Sequence, residues 1–197
     1  KRIILKDGQY LAANDASEAQ AAPKDGSAPA SYVIWYQNGV LTLNGYHGQD
    51  IDINYGEEAT VKLIGKNSIT STSEDHIVDD GLSCYGNILI TTDAVSGGSL
   101  LIEAKSNSDK NYSPRGIFIS DGELTIGGYA DITIIATANN PKKEYDPSYG
   151  IMGERSSVNI IDHASLDITA SSPYSTTRNT SCCGIYARSK VIINTDR

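Results

Sequence analysis

Four short stretches that each begin with a glycine and an apolar residue decide the fold of this chain: GLSCYG at 81–86, GIFIS at 116–120, GIMGE at 150–154 and GIYAR at 184–188. Gly116 follows Gly81 by 35 residues, and each later glycine follows the one before it by 34 residues. Repeats of this length are also typical of helical solenoids. Here, however, apolar residues alternate with a period of two and Ile, Val and Thr are frequent, which excludes helices and favours β-strands.

Two further apolar segments follow these stretches, so that each repeat contains three short strands. The second strands are ILI at 88–90, LTI at 124–126, VNI at 158–160 and VII at 191–193, and the third strands are LLI at 100–102, ITI at 132–134 and LDI at 166–168. A looser coil precedes them, with IDI at 51–53, VKL at 61–63 and SIT at 68–70. Such short strands are stable only when stacked coils bury their side chains against one another. We therefore predict an all-β fold, a right-handed parallel β-helix that forms a solenoid of three-strand coils.

The repeat also predicts which side chains stack inside the coils. The inward ladders are Leu82, Ile117, Ile151 and Ile185; Ile88, Leu124, Val158 and Val191; and Ile90, Ile126, Ile160 and Ile193. Cys84 falls in line with Ile119 and is expected to be a buried thiol, too far from Cys183 for a disulfide. Three cysteines without CxxC spacing exclude a disulfide framework and a zinc site, while a disulfide between the adjacent Cys182 and Cys183 stays open.

The residues before the repeats differ in composition. Residues 1–31 are predicted to form an N-terminal hairpin, with Asp7-Gly8 as its turn, followed by an Ala/Ser/Pro-rich linker or cap. A second hairpin signal is YVIWYQ, then Asn38-Gly39, then VLTLNGY. Residues 32–197 form the predicted β-helix domain, which stops in mid-coil after its last second strand. We therefore expect further domains of the same polypeptide, or a partner, to follow.

Charge and hydropathy narrow the range of partners. The formal net charge is −8, and residues 1–99 carry 13 acidic and 6 basic residues, which argues against a nucleic-acid partner. No stretch approaches the roughly 20 apolar residues of a membrane span, so we expect no membrane insertion. The chain has 12 Tyr and one Phe. This composition indicates rings at the surface, where a tyrosine hydroxyl stays hydrated.

Several phrases resemble a family of bacterial secreted β-helix proteins. They are WYQNGVLTLNGY at 35–46, VKLIGKNSIT at 61–70, GELTIGG at 122–128, and the repeated YGI or CGI. Members of this family are described as carbohydrate-binding domain proteins with a pectate-lyase-like solenoid, and the resemblance covers about residues 32–195. It implies an extracellular or cell-surface location, binding of plant-type acidic polysaccharide such as polygalacturonate, and, in some members, calcium held by loop carboxylates.

The sequence contains no constellation typical of a polysaccharide-cleaving enzyme. Asn194-Thr195-Asp196 and Asp79-Asp80 look like fragments of polygalacturonase motifs, but their order is wrong and the other motifs are missing. His47, His76 and His163 lie on different coils and are interpreted as loop or surface residues. We predict no catalytic site and no enzyme activity.

One loop holds the densest group of carboxylates, which are the ligands that a hard cation such as calcium prefers. Its members are Glu74, Asp75, Asp79 and Asp80. Calcium is thus an open alternative for this loop, but a solvated acidic loop is the favoured interpretation. We predict no cofactor and no metal site.

One exposed row on the first strands is the candidate binding face. The residue two positions after each glycine points outward, which gives the row Ser83, Phe118, Met152 and Tyr186. Aromatic rings offer apolar faces to sugar C–H groups, and arginine binds carboxylates with two parallel hydrogen bonds. The predicted carbohydrate-binding residues are Phe118, Tyr186, Arg115, Arg155, Tyr112, Tyr145 and Arg188. Alternatively, the loop tyrosines Tyr112, Tyr145 and Tyr174 fold back to cover the ends of strands.

Two functional hypotheses follow. The first is non-catalytic binding of an extended polysaccharide, acidic chains included, along one face of the β-helix. The second is a structural or adhesive stalk module of a larger cell-surface protein, in which the solenoid sets reach and presents protein contacts.

Overall fold

The computed structural model describes residues 5–53, 58–73, 80–107, 113–139, 147–172 and 182–195. These residues form 17 β-strands and contain no helix. It follows that no helix in the described part of the chain could cross a membrane.

In chain order the strands are β1 (Gln9–Leu11), β2 (Gln20–Ala21), β3 (Ile34–Gln37), β4 (Val40–Asn44), β5 (His47–Gly48), β6 (Ile51–Ile53), β7 (Glu58–Ile64), β8 (Lys66–Ser73), β9 (Asp80–Cys84), β10 (Asn87–Thr92), β11 (Ser99–Ser106), β12 (Arg115–Gly128), β13 (Asp131–Ala138), β14 (Tyr149–Asp162), β15 (Ser165–Ser171), β16 (Cys183–Ala187) and β17 (Val191–Thr195).

Parallel pairing stacks these strands into a β-solenoid of about three turns. The first ladder joins β6, β9, the start of β12, the start of β14 and β16. The second ladder joins β4, β7, β10, the second halves of β12 and β14, and β17. The third ladder joins β5, β8, β11, β13 and β15. All-β architecture and parallel stacking are therefore confirmed.

The predicted registers are confirmed as well. Leu82 pairs with Ile117, Ile117 with Ile151, and Ile151 with Ile185. The two ladders that begin at Ile88 and Ile90 follow the predicted order, and the looser coil at 51–70 aligns with the coils after it. Most of these inward side chains are fully buried, but Val191 and Ile193 on β17 are exposed because no further described rung lies over them.

The division of the coils differs from the prediction in two places. The predicted first and second strands are continuous in β12 and in β14, each of which is 14 residues long. The bend between the two segments does not interrupt the pairing, since Asp121 still pairs with Arg155 and Gly122 with Ser156. Gly122 has φ +98°, a conformation that other residues rarely adopt, so the chain turns there without leaving the sheet.

The turn predicted at Asp7-Gly8 is present, and it is closed by a hydrogen bond of 3.1 Å from the Gln9 N–H to the Lys6 carbonyl. Residues 1–4 of the predicted hairpin lie outside the described residues, and strand β1 pairs antiparallel with β2 and with β3. Strand β2 lies inside the stretch 13–31 that was predicted as a linker or cap, and Ala16 and Ala19 of that stretch pack against the core. Burial of these alanines gives the stretch its order, which its lack of periodicity concealed.

The second hairpin is confirmed. Strands β3 and β4 pair antiparallel around Asn38 (φ 51°) and Gly39 (φ 76°). A two-residue hairpin turn with both residues at positive φ favours Asn-Gly, which is the pair found here. Because β4 also pairs parallel with β7, strands β1 to β3 extend the sheet and cover its first parallel rung.

The repeated glycines are required for space. A Cβ atom on Gly116 would lie 2.1 Å from Ile134 Cγ2 and 2.7 Å from the carbonyl oxygen of Gly150. A Cβ atom on Gly81 would lie 2.2 Å from Ile102 Cγ2, and one on Gly150 would lie 2.2 Å from Ile168 Cγ2; both isoleucines belong to the third ladder. Any side chain at these positions would push the first ladder away from the third. We call Gly81, Gly116, Gly150 and Gly184 the glycine column.

Cys84 lies inside the solenoid, as predicted. It pairs with Ile53 and Ile119 in the first ladder and is completely buried. Burial, together with the negative charges of Asp52 and Asp80, raises the pKa of the Cys84 thiol well above its usual range. Cys182 and Cys183 are free thiols, so the vicinal disulfide that the sequence left open is not formed.

We expect Gly116→Ala to lower the free energy of unfolding by about 1–3 kcal/mol or more, because its methyl group has no room beside Ile134. Gly184→Ala is the matched control, since a Cβ there meets its nearest atom, Ile168 Cγ2, at 3.9 Å. Urea denaturation of the two variants checks this. Equal stability of G116A and G184A would contradict the packing described here.

Cys84 is expected to stay unmodified by a thiol reagent in the native protein, because it is buried and protonated. The exposed Cys182 serves as the internal control and reacts without unfolding. Mass spectrometry of tryptic peptides after brief alkylation distinguishes the two. Labelling of Cys84 at the rate of Cys182 would show that the first ladder is shifted by one residue.

Candidate functional site

The predicted outward row exists in the structure. Ser83 pairs with Phe118, Phe118 with Met152, and Met152 with Tyr186, and Asp52 extends the row at its other end. A second row runs beside it and contains Asp80, Arg115, Tyr149 and Cys183. The residues on either side of the first row in sequence are the buried Leu, Ile and Cys of the core, so this row lies on the outer side of the first ladder. Side-chain contacts place the second row beside it, since Arg115 covers Phe118 and Tyr149 meets Tyr186.

Phe118 is not the exposed stacking platform that the sequence predicted. Its side chain is only 8% exposed, although it does not belong to the apolar core cluster. The guanidinium carbon of Arg115 lies 3.7 Å from the centre of the Phe118 ring, a cation–π contact that covers the ring from outside. Phe118 therefore faces outward but is still buried, because Arg115 covers the face of the ring on which a sugar would stack.

Arg115 is held within the protein instead of pointing to a ligand. Its guanidinium pairs with both carboxylate oxygens of Asp80, through Nε to Oδ1 and through Nη2 to Oδ2 at 2.9 Å. The Asp80 side chain is 1% exposed and that of Arg115 16% exposed, and Ser83 Oγ donates a third hydrogen bond to Asp80 at 3.0 Å. A buried carboxylate requires such compensation. Arg115 is therefore already paired within the chain, and its predicted contact with acidic sugars stays a prediction.

Tyr186 is the predicted residue that keeps an open surface. It is 37% exposed, and its ring meets the Tyr149 ring edge-on, with centroids 5.9 Å apart and planes at 62°. Arg188 Nε donates a hydrogen bond of 3.4 Å to the Tyr186 hydroxyl, and this bond raises the pKa of Arg188. We call Tyr149, Tyr186 and Arg188 the tyrosine patch.

Arg155 lies apart from this patch, at the bend of β14. Its side chain is 74% exposed and reaches Asp121 Oδ2 at 3.5 Å, a surface ion pair. Tyr112 and Tyr145 lie outside the described residues, as do Tyr174 and the loop residues Lys110, Lys142, Lys143 and Arg178. The structure thus brings together Arg115 with Phe118 and Tyr186 with Arg188, and it separates Arg155 from both pairs.

The acidic loop and the histidines give no metal site in the part of the chain that is described. Asp80 is engaged by Arg115 and Ser83, and the other three carboxylates, Glu74, Asp75 and Asp79, lie outside the described residues. Within the described ranges no three His, Cys, Asp or Glu side chains are grouped in a way that could hold a metal ion. His47 and His163 are exposed, as predicted.

Tyr149 is a member of the candidate site that was not predicted from the sequence. It stands directly before Gly150, and the residue before each glycine of the column forms the second outward row. That position was available as a signal, since Asp80, Arg115, Tyr149 and Cys183 occupy it in successive repeats. Alternation alone does not reveal this row, because Arg115 and Tyr149 have the same parity as the inward Ile117 and Ile151.

Comparison of the chain with protein-family models, with curated proteins and with solved structures finds no match. The proposed function therefore rests on the chemistry of the tyrosine patch.

Arg115→Ala is expected to lower the free energy of unfolding by about 3–5 kcal/mol, since it leaves the buried Asp80 carboxylate without its cation. Arg155→Ala is the matched control and should cost at most about 1 kcal/mol, because its ion pair is exposed. Asp80→Asn in the R115A background should recover part of the loss. Equal stabilities of R115A and R155A in urea denaturation would refute the structural role of Arg115.

Proposed function

We propose that this protein is a non-catalytic glycan-binding solenoid that holds an extended polysaccharide at the tyrosine patch. The observation that carries the proposal is the open ring of Tyr186, fixed by Tyr149 on one side and by Arg188 at its hydroxyl. A ring that is already fixed loses little conformational entropy when a sugar stacks on it, which favours binding.

The charge of the glycan that the patch can bind depends on which arginines are already paired with carboxylates of the chain. Arg115 and Arg155 pair with carboxylates of the chain, so their charges are already balanced. Arg188 remains as the cation of the patch and can hold one carboxylate of an acidic chain. The patch therefore suits neutral and acidic glycans, with a smaller preference for acidic ones than three free arginines would give.

The finer points of the fold and of its setting belong to the same proposal. We propose a right-handed coil, since parallel crossover connections are right-handed in almost all known cases, and three strands in each coil. The phrases shared with secreted bacterial carbohydrate-binding β-helix proteins support an extracellular or cell-surface location. Calcium bound by Glu74, Asp75 and Asp79 is not required for stacking on Tyr186.

A structural or adhesive stalk module is the second candidate. The cluster of Asp80, Arg115 and Phe118 favours it, since this cluster uses two of the predicted binding residues to close the outer face. A stalk needs stable coils and no glycan, so the two candidates differ in whether Tyr186 has any ligand.

We expect Tyr186→Ala to weaken glycan binding by about 1 kcal/mol, roughly fivefold, with stability nearly unchanged because the ring is partly exposed. Tyr129→Ala is the matched control, an exposed tyrosine that stacks on His163 at the turn before the third ladder. Isothermal titration with a polygalacturonate oligomer and with a cello-oligosaccharide measures both variants.

Arg188→Ala should weaken binding of polygalacturonate more than that of the neutral oligomer, and added salt should reduce the difference. If the parent protein binds neither oligomer, and no glycan on a broad glycan array, the stalk hypothesis is favoured. If Y186A binds as tightly as the parent, the tyrosine patch is not the site.

A further inference from the structure

A concave surface lies on the outer side of the second ladder, and none of its residues belongs to the tyrosine patch. It is a groove of about 380 Å³ that crosses β4, β7, β10 and β12. One row of its floor is Val40, Thr60, Leu89 and Thr125, in register from rung to rung. A parallel row along its side contains Glu58, Asn87 and Glu123.

The floor combines apolar contact with hydrogen-bonding groups. Val40 and Leu89 are each 36% exposed, and Thr60 and Thr125 lie in the same row. The Thr125 hydroxyl donates a hydrogen bond of 3.5 Å to Glu123 Oε1, which orients that carboxylate beside the floor. Asn87 Oδ1 accepts a hydrogen bond of 3.0 Å from the Glu123 N–H, which fixes the amide and leaves the donors of Nδ2 to a ligand. Apolar patches between a few convergent polar groups are typical of small-molecule and sugar sites.

The charge of the groove is negative. Glu58 and Glu123 both line it, and none of its lining residues is basic. Lys62, which lies two residues after Thr60, is paired with Asp93 at 3.8 Å. Complementarity therefore favours an occupant with positive charges.

The spacing of the two carboxylates suits a repeating polymer. Glu58 is on β7 and Glu123 on β12, with β10 between them, so their backbones are two rungs, or about 10 Å, apart. In an extended β-1,4-linked glucosamine chain successive rings face opposite ways, so the amines recur on one side at every second ring. The same two-rung interval separates the exposed Val40 and Leu89, which can contact the ring faces.

A peptide strand fits this surface less well. Strands β4, β7, β10 and β12 are each paired on both edges, so no strand edge is open for an added peptide to pair with. Side-chain hydroxyls and an amide are the groups on offer, and these match a polyhydroxylated ligand.

We propose that this groove binds a cationic amino-sugar chain of 1,4-linked glucosamine units, with their ammonium groups on Glu58 and Glu123 and their rings over Val40 and Leu89. The site goes beyond the binding proposed for the tyrosine patch and does not depend on it.

The test is isothermal titration of the full chain with a glucosamine tetramer that carries free amines, with its N-acetylated counterpart as the neutral control. We expect the N-acetylated tetramer to bind at least tenfold more weakly. The double variant Glu58→Gln/Glu123→Gln should weaken binding of the glucosamine tetramer at least tenfold. Glu103→Gln is the matched control and leaves binding unchanged, since Glu103 lies on the third ladder and pairs with Lys105.

The proposal would be overturned if the glucosamine tetramer did not bind, or if E58Q/E123Q bound it as tightly as the parent. Equal binding of a tetralysine peptide would also overturn it, because this would indicate attraction to any polycation. Tyr186→Ala separates the two sites. It should leave binding of the glucosamine tetramer unchanged, and a loss in that variant would move the ligand to the tyrosine patch and refute the groove.

Discussion

The close contact between the glycine column and the isoleucines of the third ladder is the constraint on which the other features of the solenoid depend. Ile102, Ile134 and Ile168 occupy the space that a side chain on Gly81, Gly116 or Gly150 would need. This contact brings the first and third ladders together and fixes where each first strand begins. The alternation of inward and outward residues then follows along the strand, and with it the position of the outward row that contains Phe118 and Tyr186.

The outer face of the first ladder is divided by a second constraint, the burial of Asp80. A carboxylate in that position requires a cation and hydrogen-bond donors, and Arg115 and Ser83 supply them. Once Arg115 is drawn to Asp80, its guanidinium covers Phe118. Met152, one rung further on, is half-buried and accepts a contact of 3.9 Å from Arg115 Nη1. The row is open at Tyr186, where Tyr149 replaces the arginine in the neighbouring row and packs edge-on. The buried ion pair and the proposed binding site thus occupy different parts of one face.

Much of the fold could be predicted from the sequence because it repeats. The interval of the glycines and the period of two in residues such as Ile117 and Ile119 define registers that the pairing of strands confirms. The N-terminal strands could not be predicted in this way, since β1 lies between two strands that follow it at different distances along the chain.

Buried polar anchors also escaped prediction. Asn67 accepts a hydrogen bond from the Tyr46 N–H and donates to the Ser99 carbonyl, which links three successive coils, and Tyr46 itself is buried although tyrosines were expected at the surface. In the candidate site, Tyr186 and Arg188 could be predicted from their positions after the repeated glycine Gly184. The loss of Phe118 and Arg115 as binding residues depends on a pairing with Asp80 across 35 residues, which no local pattern reports.

We propose that the face of the first ladder binds a glycan at the tyrosine patch while the cluster of Asp80, Arg115 and Phe118 serves only the fold. A backbone amide NMR titration of the isotopically labelled chain with a polygalacturonate oligomer and with a cello-oligosaccharide tests this directly. We expect chemical-shift changes centred on Tyr149, Tyr186 and Arg188, with the amides of Arg115 and Phe118 unmoved. Changes centred on Arg115 and Phe118, or no change with either oligomer, would contradict it.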